Sequence, residues 1–140
     1  MPLNGYTSLC NERAAIITSK DNGGPQTHIG YNRKSAMVTH YKIDGVVITQ
    51  GNKCDYLLLN EETKTAYLIE LKGSDLCWAA KQLDATAKTL AHELLGYTLQ
   101  YRIVANKCKT QEIESSEFKK YRLAWKRCLV YKTTRLSEDI

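Results

Sequence analysis

The spacing of apolar and polar positions changes period along this chain, and each change predicts an element. From about Thr7 to Ile17, Leu9, Glu12 and Ile16 recur at helical spacing. That predicts a first helix with Glu12 on the face of two apolar residues, capped by Thr7 or Ser8. The polar stretch Thr18 to Lys34, with Gly23-Gly24-Pro25 and then Arg33-Lys34, reads as a long surface loop of the kind that carries function. From Met37 to Leu71 the period is that of strands: a first run near Ala36 to Ile43 ending at Asp44-Gly45, a second from Asp55 to Leu59, and a third from Ala66 to Leu71. Asn60 to Lys64 supplies the turn between the last two, and Val46-Val47-Ile48 either extends the sheet or fills a bend. Ser74 or Asp75 then starts a helix whose stripe is Leu76, Ala80, Leu83, Ala87, Leu90 and Leu94, with Gly96 placed to end it. Leu99 to Ala105 is a further strand. Ser116 to Arg127 suits a helix with Phe118, Tyr121 and Trp125 on one face, although the alternation Tyr121, Leu123, Trp125 also suits a strand. Leu129 to Thr133 closes the series as an edge strand. The expected order is α-β-β-β-α-β-α-β, an α/β fold with a mixed central sheet flanked by helices.

Length and composition narrow the class. The 140 residues, 43% hydrophobic and 25% charged, match one ordinary domain, 1–140, with a core that needs no staples. No apolar run approaches the ~20 residues that cross a membrane. Met1 to Ile17 has neither a basic leader nor an apolar signal core, so no membrane association and a cytoplasmic location are expected. Cysteines at 10, 54, 77, 108 and 128 are odd in number and form no CxxC pair, which argues against a disulfide framework or a thiolate zinc site. The histidines His28, His40 and His92 are equally scattered. A net charge of +5 admits a polyanionic partner without requiring one.

The chemistry concentrates in Asp55-Tyr56-Leu57-Leu58-Leu59 and Tyr67-Leu68-Ile69-Glu70-Leu71-Lys72. Strand alternation puts Glu70 and Lys72 on the face of Leu68, and Tyr67, Ile69 and Leu71 on the other. Charges at the end of an otherwise apolar central strand are costly unless paired or bound to metal. Asp55 begins the preceding strand, across a hairpin and within reach of Glu70. Cleaving a phosphodiester calls for a hard cation that holds the phosphate and activates water, and Mg²⁺ takes carboxylate oxygens. Asp55, Glu70 and the Leu71 carbonyl are the candidate donors. Lys72 is placed to orient or deprotonate the attacking water and to offset charge on the phosphate.

Asp55, fourteen intervening residues, and then Glu70-Leu71-Lys72 resembles the PD-(D/E)xK nuclease superfamily, which includes restriction endonucleases and Holliday junction resolvases. The expected element order (leading helix, three-strand meander, helix, strand) is similar as well, so the likeness covers most of the chain. It implies a restriction-endonuclease-like core, Asp55 and Glu70 as metal ligands, Lys72 as catalytic lysine, and Mg²⁺, with Mn²⁺ as substitute. Many members add a glutamate from the first helix, and Glu12 in Asn11-Glu12-Arg13 is the matching residue. Some place a glutamine on the helix after the lysine, which here is Gln82. Cys54 stands where the motif's name has proline, and Asp44 is a rival for the first acidic position that ends the wrong strand. The implied activity is nuclease action on nucleic acid, DNA favoured over RNA, and in such a small domain directed at branched or structured DNA. A homodimer would match a two-fold substrate.

Ordinary readings stand beside these. Glu70 and Lys72 can be a weak surface ion pair, Asp55 a turn aspartate, Glu12 a solvated helix carboxylate and Gln82 an ordinary helix residue. Arg33 and Lys34 are candidate substrate contacts from the long loop, beside a Tyr31 that can equally be packing. Lys119, Lys120, Arg122, Lys126, Arg127, Lys132 and Arg135 are either a phosphate-contacting patch or a solvated face. The alternative of a different class is a catalytically silent nuclease-fold binding protein, an inhibitor or subunit of a nucleic-acid-processing or phage-defence complex.

Overall fold

The computed structural model describes residues 3–21, 23–71 and 74–140. In chain order its strands and helices are β1 (Ile16–Lys20), β2 (Thr27–Tyr31), β3 (Val38–Lys42), β4 (Tyr56–Asn60), β5 (Thr65–Glu70), α1 (Leu76–Thr89), β6 (Thr98–Ala105), α2 (Thr110–Ile113), α3 (Ser116–Trp125), β7 (Leu129–Thr133) and β8 (Arg135–Asp139). The fold is mixed α/β with two sheets. Strands β3-β4-β5-β6-β7 form a five-stranded sheet in that order, and β1-β2-β8 a three-stranded one.

The large sheet starts as an antiparallel meander and turns parallel from β5 onward, so β4 alone runs against its neighbours. Leu57, Leu58 and Leu59 in β4, and Leu68 and Ile69 in β5, are fully buried. Such continuous apolar runs belong to strands covered on both faces. The β4–β5 turn is closed by Asn60, whose Oδ1 accepts the N–H groups of Glu62 and Thr63 at 3.1 Å each. Beyond β5 the chain enters α1, capped by Asp75, whose Oδ1 accepts the Trp78 N–H at 2.9 Å. Leu76, Ala80 and Leu83 press this helix onto Leu57, Leu59, Leu68 and Ile103, in a cluster that also holds Phe118 of α3.

The opposite face is covered by the small sheet. Ile17 of β1 and Leu136 of β8 pack with Val38, Leu58, Ile69, Leu71 and Val104. Gly30 of β2 allows the two sheets to approach: a Cβ there would lie 3.0 Å from Leu58 Cδ2.

Several expectations hold. The meander, the strand after the long helix, the helical reading of Ser116 onward and the edge strand Leu129–Thr133 are all present. The long helix is present but ends at Thr89, with turns in place of its expected last stretch to Leu94 and Gly96. Three are corrected. No helix spans Thr7 to Ile17: this segment is irregular until β1 begins at Ile16. The region expected as a long loop, Thr18 to Lys34, is instead mostly the β1–β2 hairpin, which the C-terminal β8 joins in parallel. The large sheet therefore has α1 and α3 on one face and a second sheet on the other, where helices had been expected to flank it. None of the described helices is long and apolar enough to cross a membrane.

Candidate metal and phosphoryl-transfer site

Two carboxylates meet at the edge of the large sheet where β4 begins and β5 ends. Asp55 clasps the end of β5 on both sides of Glu70. Its backbone N–H donates to the Ile69 carbonyl at 3.0 Å, and its Oδ2 accepts the Leu71 N–H at 2.7 Å. The side chain thus takes over from the backbone ladder where the strand pairing stops. The paired register ends at Tyr56↔Ile69, and the Asp55 N–H reaches the Ile69 carbonyl instead of continuing it, so the two acids lie at the same end of neighbouring strands without being directly opposed. Glu70 is 1% exposed, whereas Asp55 is half-buried, so one carboxylate is sunk in the sheet and the other opens toward solvent.

The start of β4 is pinned by α1. Gln82 Oε1 accepts the Lys53 N–H at 3.1 Å, and Thr86 Oγ1 accepts the Cys54 N–H at 2.7 Å. Thr86 is fully buried, and its hydroxyl donates a hydrogen bond to the Gln82 carbonyl at 2.9 Å. Asp55 follows directly on this anchored dipeptide, so the helix fixes the position of the carboxylate. Cys54 is completely buried, and burial, followed by the nearby Glu70 and Asp55 carboxylates, pushes its thiol well above the usual range. It is held neutral between the acids as an inert packing group.

The donors this edge offers are the Asp55 and Glu70 carboxylates and the Leu71 carbonyl. An all-oxygen set of this kind matches a hard divalent cation and does not match zinc or copper. Among the described residues no group of three or more His, Cys, Asp and Glu side chains converges to hold a metal ion, so the backbone carbonyl, water or substrate would have to complete the shell. Lys72 lies outside the described residues.

The expected site residues separate into two groups. Asp55, Glu70, Leu71 and Gln82 come together, with Gln82 bonded to the chain itself. Glu12, Arg33 and Lys34 do not join them. The Glu12 carbonyl accepts the Val38 N–H at 2.8 Å, which ties it to the end of β3 opposite Asn60, at the far end of the sheet. Its residue is exposed on a turn, not turned inward on a helix. Arg33 and Lys34 flank the same end, because the neighbouring Ser35 carbonyl accepts from Arg13, which also bridges to Glu62 in the β4–β5 turn. Arg33 itself pairs with Asp139 at 2.7 Å over the Tyr31 ring.

Of the basic C-terminal residues, Lys119, Arg122 and Lys126 line a groove of about 470 Å³ with Leu123, Leu129 and Tyr131. Glu114 lies 3.3 Å from Lys119 and 3.8 Å from Arg122, which lowers the net charge there. Sequence reasoning missed Thr86 and Trp78. A threonine among the apolar positions of α1 was the available signal for the first, and the exposure of Trp78 has no sequence signal.

No known family model matches this chain, and neither does any curated protein or solved structure.

Proposed function

We propose that this chain is a metal-dependent nuclease of the PD-(D/E)xK type, hydrolysing phosphodiester bonds at the Asp55–Glu70 edge. The observation that carries the reading is the clasp of Asp55 around Glu70: a buried and an open carboxylate, one strand apart, with the Leu71 carbonyl next in line. The run from β3 through β6, meander then helix then parallel strand, supports the restriction-endonuclease-like arrangement that the motif implies. A Mg²⁺ or Mn²⁺ ion held by Asp55, Glu70 and the Leu71 carbonyl would supply Lewis-acid polarisation of the phosphate and activation of water for attack. The chain's own part is to hold these oxygens in place through Gln82 and Thr86. Lys72 would carry the proton that offsets charge growing on the phosphate. DNA is the proposed substrate, branched or structured DNA above long specific sequences, with a cytoplasmic homodimer as the working form.

A panel of linear, nicked, branched and single-stranded DNA plus RNA, incubated with Mg²⁺, Mn²⁺ or EDTA, tests the reading. Cleavage of at least one substrate with either ion, abolished by EDTA, is expected. The silent binding protein is the second reading, favoured by the absence of a third side-chain ligand among the described residues. A chain that cleaves nothing in either ion, yet binds a nucleic acid or protein partner equally well in EDTA, would establish it.

A further inference from the structure

Of the chain's two tryptophans, Trp125 is stacked on Tyr101, with ring centroids 3.8 Å apart and planes 7° from parallel. Trp78 is 48% exposed, and no aromatic or cation partner covers its ring among the described residues. An open indole presents a large apolar face to whatever passes over it.

Its position follows from α1. Trp78 and Gln82 are four residues apart, so they share a helix side, about one turn and ~6 Å along the axis from each other. Gln82 is the residue bonded to Lys53, just ahead of Asp55. The core side of the helix is occupied by Leu76, Ala79, Ala80 and Leu83, and the side toward α3 by Cys77 and Lys81, which contact Ser115 and Glu117. That leaves Trp78 on the flank above the start of β4. Gln82 marks where α1 passes the start of β4, and Trp78 lies one turn nearer the N-terminus of the helix. The Asp75 cap fixes the backbone of this turn, from which the indole projects.

We infer that Trp78 is a stacking platform for an unpaired nucleobase of the substrate, so that the preferred substrate is single-stranded or locally unpaired nucleic acid. The inference rests on the nuclease reading for its orientation toward the site, and it narrows the substrate class of that same site. An indole has no sequence preference, since every base offers a π-face. In an intact duplex the bases are already stacked on one another and are out of its reach. The strand would pass its phosphate over the Asp55–Glu70 edge with a base laid on the ring.

The test is tryptophan fluorescence of the full chain, titrated with 12-mers of oligothymidylate and oligouridylate and with a paired duplex of the same length, in EDTA and in Ca²⁺. Both single strands are expected to quench the emission saturably, and the duplex less. Trp78→Ala, followed by anisotropy of labelled oligomers, should weaken single-strand binding about five- to a hundredfold. It should leave duplex binding unchanged, and Trp78→Phe should restore most of the affinity. Circular dichroism and melting of both variants show that the fold is intact, an outcome favoured by the exposure of the residue. Unchanged single-strand affinity in Trp78→Ala, or no binding of any single strand by the wild type, overturns the inference. The two readings fail separately. If Trp78→Ala loses single-strand binding while the wild type cleaves nothing with Mg²⁺ or Mn²⁺, the platform stands without the nuclease. If the wild type cleaves and Trp78→Ala binds and cleaves identically, the nuclease stands without the platform.

Discussion

The two ends of the large sheet use their carboxylates differently. At the β4–β5 turn, Glu61 accepts hydrogen bonds from the Thr39 hydroxyl at 3.0 Å and from the Tyr97 hydroxyl, with Lys64 Nζ 3.7 Å away. Glu62 accepts from the Met37 N–H at 2.9 Å and from Arg13 at 2.8 Å, and these two contacts hold its carboxyl below the usual range. At the other end, the one hydrogen bond recorded for the Asp55 carboxylate among the described residues is a backbone N–H. Acids at the turn are thus surrounded by the donors that make them structural. Among the described residues, no cation or hydroxyl bonds the Asp55 carboxylate, and Asp55 stands near a buried acid. Structural carboxylates collect cations and hydroxyls; on the proposed reading, Asp55 is left open on one side for a cation from solution.

The largest effect should come from breaking the open end. If the proposed nuclease reading holds, Glu70→Gln and Asp55→Asn each remove a carboxylate charge from the ion's shell, and each should reduce cleavage ~10²-fold or more. Lys72→Ala should reduce the rate as strongly while retaining metal and substrate binding. Calorimetry with Mn²⁺ separates the two classes: lost binding in Glu70→Gln and retained binding in Lys72→Ala are expected. A Lys72→Ala enzyme as fast as wild type would remove the assignment.

The next effect lies between the two ends, at His40 of β3. Its ring is 4% exposed, bonds Ser19 Oγ at 2.8 Å and stacks on Tyr56, with ring centroids 5.2 Å apart. Burial, with a smaller contribution from His28, lowers its pKa to about 4. Between pH 4 and 6.5 the unfolded chain therefore binds a proton that the native chain refuses, so stability falls as the pH drops through this window. The full difference is about 3 kcal/mol. Urea unfolding from pH 7 to 5 should show the decline begin, and His40→Gln should flatten it. Working above pH 5 keeps the contribution of Glu138 apart. Its carboxyl is half-buried, which alone would raise it, but His28 and Arg102 hold it below the normal range, so its share is lost only under more acid conditions.

A smaller loss is expected at the saturated end. Glu61→Ala strands the Thr39 and Tyr97 hydroxyls, a cost of about 1–3 kcal/mol in unfolding free energy. Cleavage by the folded protein should be unaffected. A variant that instead loses cleavage at full stability would merge the two ends into one site and end the contrast drawn between them.

Where the inward positions are apolar, the elements could be read from the chain; where they are polar, they could not. Leu57 to Leu59, Leu68 to Leu71 and the stripe of α1 announced the meander and its helix because burial and hydrophobicity coincide there. In β1 and β2 the inward residues include Ser19 and His28, both fully buried, and Gln26 and Asn32 beside them are nearly so. Each bonds another part of the chain: Ser19 to His40, His28 through Nε2 to Glu138, Gln26 to Asn106, and Asn32 to the Ala14 carbonyl and the nearby Ala36 backbone. A strand whose core face is hydrophilic has no period-two signal, so this hairpin looked like a loop. The partner of β2, β8, comes from the opposite end of the chain, and no local pattern reports that pairing. For the site, Asp55 and Glu70 were legible because both lie on one hairpin, whose register is local. The anchoring bonds of Gln82 and Thr86 depend on how α1 folds back over β4.

The smallest expected effect is the one that most sharpens the comparison. The helical spacing of Leu9, Glu12 and Ile16 had made Glu12 a candidate third ligand, and a substitution there would then lower cleavage. In the structure Leu9 and Ile16 are 59% and 58% exposed, so the stripe that was to turn Glu12 inward does not exist. Glu12 is instead stitched through its carbonyl to Val38, and Val38 faces Asn60, while Tyr56, the neighbour of Asp55, faces Lys42. Four strand residues separate those two register positions, about 13 Å, well beyond the ~2 Å reach of a shared ligand bond. Glu12→Gln should therefore leave the cleavage rate, the Mn²⁺ affinity and the melting temperature within error of wild type. A tenfold fall in rate with weakened Mn²⁺ binding would mean that the first fifteen residues rearrange to reach the carboxylate edge, and the two ends of the sheet would then have to be treated as one site.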